Sequence, residues 1–411
     1  MQLKTRISRR YPERISYMRD KLIKASFEIC TERAKLITQF YKNTKESNPI
    51  LRFSKAMRYI LSNMTLKIWD DEFIIGNRCS KYKATPLYPE VRIDSIELDL
   101  DGYDTRAVQP LGLSIKEKTL LKNLVIPFWK NNAETIQERF ISKLSPKLKN
   151  LMEKLVYIVD TELTNGIGHF FPGHENILTY GINGLYNKTL KKLSFLENMG
   201  DMDSDKINFL KSVLIELEGA KIFIERFAIL SKEMAEKTDD ESRREELREI
   251  AKICRRISEN PPNSFKEALQ LVYFNHLICG LEDGGFAISI GRLDQLLYRF
   301  YIEDKKSGKI SDDEVLFLIQ CFFIKLSTLW NYILSKGVIA GEGPPIAANV
   351  VIGGVDKEGN DATNKLSTII LEAYKKLKTV QPTFSVRIHR NTSQDFIKKI
   401  GDSIKNGTSI A

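Results

Sequence analysis

Two of the four histidines, His169 and His174, stand five residues apart in the segment "TNGIGHFFPGHENILTYGINGLYN" that begins at Thr164. Gly166, Gly168, Gly173, Gly181, Gly184 and Pro172 share that segment, the composition of a loop that comes close to something else. A histidine in such a loop can offer a donor to a ligand, so His169 is a candidate binding residue. His276 and His389 fall on an apolar helix and a strand and read as hydrogen-bonded structural histidines. Phe286 and Ala287 lie between Gly285 and a strand, where they serve packing or a pocket wall. The cysteines, Cys30, Cys79, Cys254, Cys279 and Cys321, form no CxxC pair, and the apolar surroundings of Cys279 and Cys321 suit small buried hydrophobes better than nucleophiles. No GxxxxGK[ST], GxSxG or HExxH is present, no metal site is indicated, and "NGIGHF" covers half of a dinucleotide fingerprint.

The elements that must position these residues come from a chain of 411 residues, 42% apolar and 28% charged, values that exclude disorder and collagen. Its net charge of +10 comes from 63 basic residues scattered among 53 acidic ones. Mixed stretches such as "DDESRREELREI" from Asp239 read as solvated helix faces and argue against a nucleic-acid footprint. The basic N-terminus lacks the apolar core of a secretory signal. The run from Val315 to Trp330 is broken by Gln320 and Lys325 and falls short of the ~20 residues of a bilayer crossing, so it reads as a buried helix. Sparse cysteine favours a reducing compartment, hence a cytoplasmic protein without a membrane partner.

Periodicity predicts a long helix from about Pro12 to Thr44, a short strand at Phe73–Ile75, and amphipathic helices over Lys147–Tyr157 and Ile207–Lys237. "AISIGR" from Ala287 reads as a strand followed by the helix "LDQLLYRFY". The C-terminal region reads as strand (347–352), helix capped by Asp361, strand ("TFSVRIH"), and helix started by Thr392 and Asp395. Strand, crossover helix and strand mean parallel pairing, so the fold class is helix-rich α/β, a sheet or barrel.

Taken together, "TERAKLITQFYK", "DDEFIIGN", "YPEV", "IPFWK", "GIGHFFPGHENIL", "GINGL", "RRISENPPNSFKEALQLVYFNHL", "AISIGRLDQLLY", "VIGGVDKEGNDATNKLS" and "QPTFSVRIHRNTSQDF" resemble, in order and spacing, the glycyl radical enzymes of the pyruvate formate-lyase type. The resemblance covers nearly the whole chain. It implies an N-terminal helical region, residues 1–150, followed by the first half, 151–411, of a ten-stranded α/β barrel. It further implies a backbone glycyl radical installed anaerobically by a separate S-adenosylmethionine-dependent activase, a catalytic cysteine, and a homodimer. The family's GCxE-like cysteine and RVxGY-like glycine match nothing before Ala411. The expectation is therefore an N-terminal portion with no catalytic residue and no cofactor of its own, completed by a separate C-terminal half or belonging to a longer chain.

The resemblance also assigns site residues. His169 matches the histidine that contacts a substrate hydroxyl in the glycerol and diol dehydratase branch. Phe286 and Ala287 replace that branch's His-Ser pair, and Ile346 in "GPPIAAN" is a further pocket-wall candidate. Losing two donors would leave a polyol's hydroxyls unpaired, which argues against glycerol. The style of "GRLDQLLY" and "GGVDKEGNDATN" is closer to the dehydratases and C–X lyases than to pyruvate formate-lyase itself. The expected function is thus part of a lyase that cleaves a C–O, C–N or C–C bond of a small molecule by thiyl-radical hydrogen abstraction. Formate acetyltransferase activity and a non-catalytic binding remnant are the alternatives.

Overall fold

A computed structural model describes residues 11–154, 156, 169–199, 203–284, 287–331 and 348–411. Where the sequence predicts one helix over 12–44, there are two, α1 (Tyr11–Lys24) and α2 (Glu32–Asn43), separated by strand β1 (Glu28–Cys30). Long-range pairing overrides the local pattern: β1 runs parallel to β2 (Ala84–Pro86), and the Ile29 N–H donates to the Gly112 carbonyl at 2.9 Å. Helix α3 (Pro49–Asn63) follows, capped by the Asn48 side chain and started by Pro49.

No strand forms at Phe73–Ile75. The backbone there is satisfied by a side chain: Ile75 N–H donates to Gln270 Oε1 at 3.0 Å, and Gln270 Nε2 donates to the Ile75 carbonyl at 2.8 Å. A buried glutamine thus does what a neighbouring strand would do. Helices α4 (Ile93–Asp99), α5 (Ile115–Leu120), α6 (Ile126–Asn131), α7 (Ile136–Ser142) and α8 (Pro146–Glu153) complete this region, with a π turn at Leu121–Val125 joining α5 to α6.

Helix α9 (His174–Asn198) occupies much of the segment expected to be a glycine-rich loop. The sequence misleads because one glycine there serves a kink: Gly181 has φ 63° and ψ 178° inside the helix. A Cβ at that position would stand 2.4 Å from Pro261 N, where the "ENPPN" segment crosses. The long amphipathic α10 (Ser204–Lys237) packs on α3, α9 and the strongly charged α11 (Glu241–Ile257).

Helix α12 (Phe265–Asp283) is apolar around most of its circumference and buries Phe265, Leu269, Tyr273, Phe274 and Leu277 completely, as expected of a helix inside a core. Helix α13 (Leu293–Lys306) packs on it, and α14 (Asp312–Ser327) is the buried helix expected from the apolar run, with an acidic first turn at its positive end. The lysine that interrupts that run, Lys325, is 2% exposed and paired with Glu72, itself 1% exposed. Among the described residues no helix is long and apolar enough to cross a membrane.

The remaining strands lie parallel in chain order. Strand β3 (His169–Phe170) pairs with β4 (Ala287–Ile288), and β5 (Gly291–Arg292) pairs with β6 (Asn349–Gly353), which pairs with β7 (Thr383–Arg387). Two hydrogen bonds unite the two groups across one continuous stretch: Ser289 N–H donates to the Phe170 carbonyl at 3.1 Å, and Ile290 N–H to the Asn349 carbonyl at 2.9 Å. Ala411 pairs along β7, donating to Phe384 and accepting from Val386, both at 2.9 Å. Helices α15 (Lys365–Leu377) and α16 (Gln394–Lys405) follow β6 and β7 as expected. Their caps differ from the expected ones. Asn364 rather than Asp361 caps α15, and Ser393 caps α16.

Gly181→Ala combines a backbone conformation open essentially to glycine with overlap against Pro261, so it is expected to cost upward of about 3 kcal/mol. Gly401→Ala in α16, where a Cβ meets nothing within 4 Å, should be neutral or stabilise by up to about 1 kcal/mol. Urea denaturation of the two variants side by side checks both signs.

Candidate functional site

Of the residues expected to form a binding wall, the fold brings two together. His169 and Ala287 are register partners in the β3–β4 ladder. Partnered residues on neighbouring strands project to the same face, so the imidazole and the alanine methyl border one surface. His169 is exposed and Ala287 half-buried. Phe286 and Ile346 lie outside the described residues.

The strand carrying Ala287 is held from below by three donors aimed at the end of α12. Arg33 Nε donates to the Leu281 carbonyl at 2.7 Å, Arg78 Nη1 to the Gly280 carbonyl at 3.5 Å, and Tyr88 Oη to the same Gly280 carbonyl at 2.6 Å. Arg33 also meets Glu90 at 2.5 Å and stacks its guanidinium 3.9 Å from the centroid of Tyr88, while Arg78 reaches the Trp330 carbonyl at 2.8 Å. Both arginines are buried. A second lock follows β5. The Asp294 carboxylate accepts from Gly353 N–H at 2.8 Å and from Ser367 Oγ at 2.5 Å, and Arg292 Nη2 donates to the Gly353 carbonyl at 2.7 Å. "GRLDQ" and "IGGVDKEGNDATN" therefore fasten one another.

The other histidines divide differently from the sequence reading. His174 starts α9 buried at 4% exposure, and Asn275 Nδ2 donates both to its Nδ1 at 3.1 Å and to the Pro172 carbonyl at 2.8 Å. Burial lowers the His174 pKa to about 4, so the ring is neutral. His276 is also buried and held neutral by desolvation, then by His174 and Arg78, but neither ring nitrogen has a hydrogen-bond partner among the described residues. The expected hydrogen-bonded histidine is therefore not observed there. His389 does meet the expectation, with Nε2 3.2 Å from Asp361 Oδ1.

A cavity of about 840 Å³ opens beyond Pro172 and Gly173, walled by Tyr41, Trp129, Ile177 and Phe209. A smaller one of about 350 Å³ touches Phe170 and Cys279. Glu216 reaches into the larger cavity and Glu282 borders both. Burial, then the charge of Glu282, pushes the Glu216 carboxyl up to about 9, and Glu216 Oε2 has no partner among the described residues. Nothing in the sequence signals this pair, since its two members lie on separate helices, α10 and α12. The Cys279 thiol is pushed up to about 12, mainly by burial. Among the described residues no group of three or more His, Cys, Asp and Glu side chains is placed to hold a metal ion.

The family described as Pyruvate formate lyase-like matches residues 6–411. The chain is 33% identical over 383 residues to "Probable dehydratase YbiW" of Escherichia coli, covering 92% of this chain and 47% of that protein. It is 30% identical over 404 residues to the (2S)-3-sulfopropanediol dehydratase of Klebsiella oxytoca, covering 97% and 48%. The glycerol-bound B12-independent glycerol dehydratase of Clostridium butyricum superposes with a TM-score of 0.90 at 33% identity, covering 96% of this chain and 50% of that one. The chain thus spans about half the length of the curated relatives it matches.

A carboxyl that resists ionisation only in the folded state makes the fold most stable below the unfolded value of ~4.3 and less so as pH rises toward about 9. Glu216→Gln removes that dependence. Its advantage over the wild type should be near zero at pH 4 and grow by up to about 1.4 kcal/mol for each pH unit as pH rises toward 9. Identical pH profiles in thermal denaturation would contradict the assignment.

Proposed function

The chain belongs to the pyruvate formate lyase-like family, and we propose that it forms the N-terminal portion of a glycyl radical dehydratase or lyase acting on a small polar molecule. The observation that carries this reading is the pairing of His169 with Ala287, which borders one surface with a single polar ring and a methyl. The radical, when present, supplies hydrogen-atom abstraction through a cysteine thiol. None of the five cysteines here lies on β3 to β7. The residues present therefore do not fit the abstracting role, and we assign that thiol and the radical glycine to sequence matched by the other half of the relatives.

What this chain contributes is position. His169 hydrogen-bonds a hydroxyl or other oxygen of the substrate and fixes its orientation, and Ala287 leaves room beside it without adding a donor. Phe286 and Ile346 close the pocket wall in this reading. With one donor where a polyol dehydratase of the resembled branch has three, the substrate carries fewer free hydroxyls than glycerol. A radical activase, a homodimer and an anaerobic cytoplasm complete the proposal, and the chain alone is inert.

Coexpression with a polypeptide carrying the GCxE-like and RVxGY-like segments and with an activase, without oxygen, should give a glycyl doublet in electron paramagnetic resonance. Its absence with a complete partner contradicts the proposal. His169→Ala should keep the doublet and lower turnover by about 10²-fold; unchanged turnover removes His169 from the site.

A further inference from the structure

Cys30 and Cys79, forty-nine residues apart in sequence, meet away from strands β3 to β7. Cys30 ends β1 one residue before Thr31, which precedes α2, and Cys79 lies in the loop that leads to β2. The two side chains pack with Ala84 as a small cluster of their own beside the main core. Cys30 Sγ is also 3.6 Å from Ser80 Oγ. A cavity of about 530 Å³ opens beside Cys30, large enough to admit a small oxidant although the residue is only 2% exposed.

We propose that Cys30 and Cys79 are a dithiol that hydrogen peroxide converts to an intramolecular disulfide, with Cys30 as the attacking thiolate and Cys79 as the resolving thiol. The environment separates the two roles. The neighbouring Cys79 side chain, helped by Glu32 and Ser80 and opposed by burial, lowers Cys30 to about 6, while burial raises Cys79 well above the ordinary thiol value. The charged groups around the cavity are Glu32 and Lys35 from α2 and Lys116 and Glu117 from α5, with Arg78 beside Cys79.

Cys30 sulfur attacks one peroxide oxygen and the O–O bond breaks. Hydroxide leaves, takes up the proton the thiol had released, and becomes water. Cys30 then carries a sulfenic acid. Cys79 sulfur attacks Cys30 Sγ, the S–O bond breaks, and the departing hydroxide leaves with the Cys79 proton as a second water. Two thiols lose two electrons and one peroxide gains them. The product ties the loop that carries Arg78 to the start of α2.

The test treats the purified chain, handled without oxygen, with a few equivalents of hydrogen peroxide, then alkylates it with iodoacetamide after denaturation and maps it by non-reducing peptide mass spectrometry. A linked Cys30–Cys79 peptide is expected as the main oxidised species, with Cys254, Cys279 and Cys321 alkylated. Cys79→Ala should instead leave a Cys30 sulfenic acid that dimedone traps. In the untreated native chain, alkylation of Cys30 should be half-maximal near pH 6 and at least ~10-fold faster at pH 7 than that of Cys79. A different linked pair, or both cysteines still alkylatable once peroxide has oxidised any other, overturns the proposal. The wild-type peptide map decides even if the variant fails to fold.

Discussion

A helix that ends inside a protein leaves carbonyl groups that water cannot reach, and each needs a donor. Helix α12 ends this way, immediately before the strand that carries Ala287. Its Gly280 and Leu281 carbonyls are satisfied by Arg33, Arg78 and Tyr88, all from the first ninety residues. Cations at a helix C-terminus also favour the sense of its dipole. Removing such a cation would strand Glu90 as well as the carbonyls, and breaking a buried pair of this kind costs about 3–5 kcal/mol. The N-terminal helices are in this sense the anchor of β4, and through it of the β3–β4 ladder where His169 sits.

The same logic continues along the sheet. Arg292 at the end of β5 and Asp294 in the first turn of α13 supply the guanidinium and the carboxylate that hold Gly353 at the end of β6. Gly353, with φ 73°, permits the turn after β6, and a Cβ there would meet the Arg387 carbonyl at 2.8 Å. The approach to β4 and the end of β6 are therefore each fixed by polar groups from earlier in the chain. Such strands are too short to hold register by ladder hydrogen bonds alone. This gives family-like motifs a physical content: "TERAKL" and "YPEV" are two sides of the Arg33–Glu90 clamp, and "DDEFIIGN" supplies Glu72 to the buried Lys325.

Periodicity exposed the long regular elements well. The α/β order of the last sixty residues and the buried α14 were readable because their faces repeat over several turns. What was not readable depends on distant partners. The break at β1 requires β2 and Gly112, the irregular backbone at Ile75 requires Gln270, and the kink at Gly181 requires Pro261. Sequence adjacency grouped His169 with His174, whereas the fold pairs His169 with Ala287 and puts His174 beside Asn275, in reach of His276. The carboxyl pair Glu216 and Glu282 and the thiol pair Cys30 and Cys79 are separated by dozens of residues, and no local pattern can announce a contact of that kind.

If the arginine clamp positions β4, loosening it must loosen the ladder. The direct measurement is hydrogen exchange at the Ser289 and Ile290 amides in Arg33→Met, which keeps the bulk of the side chain but removes its charge and donors. These amides bond to Phe170 and Asn349 and join the two groups of strands. The account predicts exchange at least ~10-fold faster at both than in the wild type, under conditions where α15 amides such as that of Leu371 keep their protection. Unchanged protection at Ser289 and Ile290 would show that β4 stands without the N-terminal region, and would contradict the account.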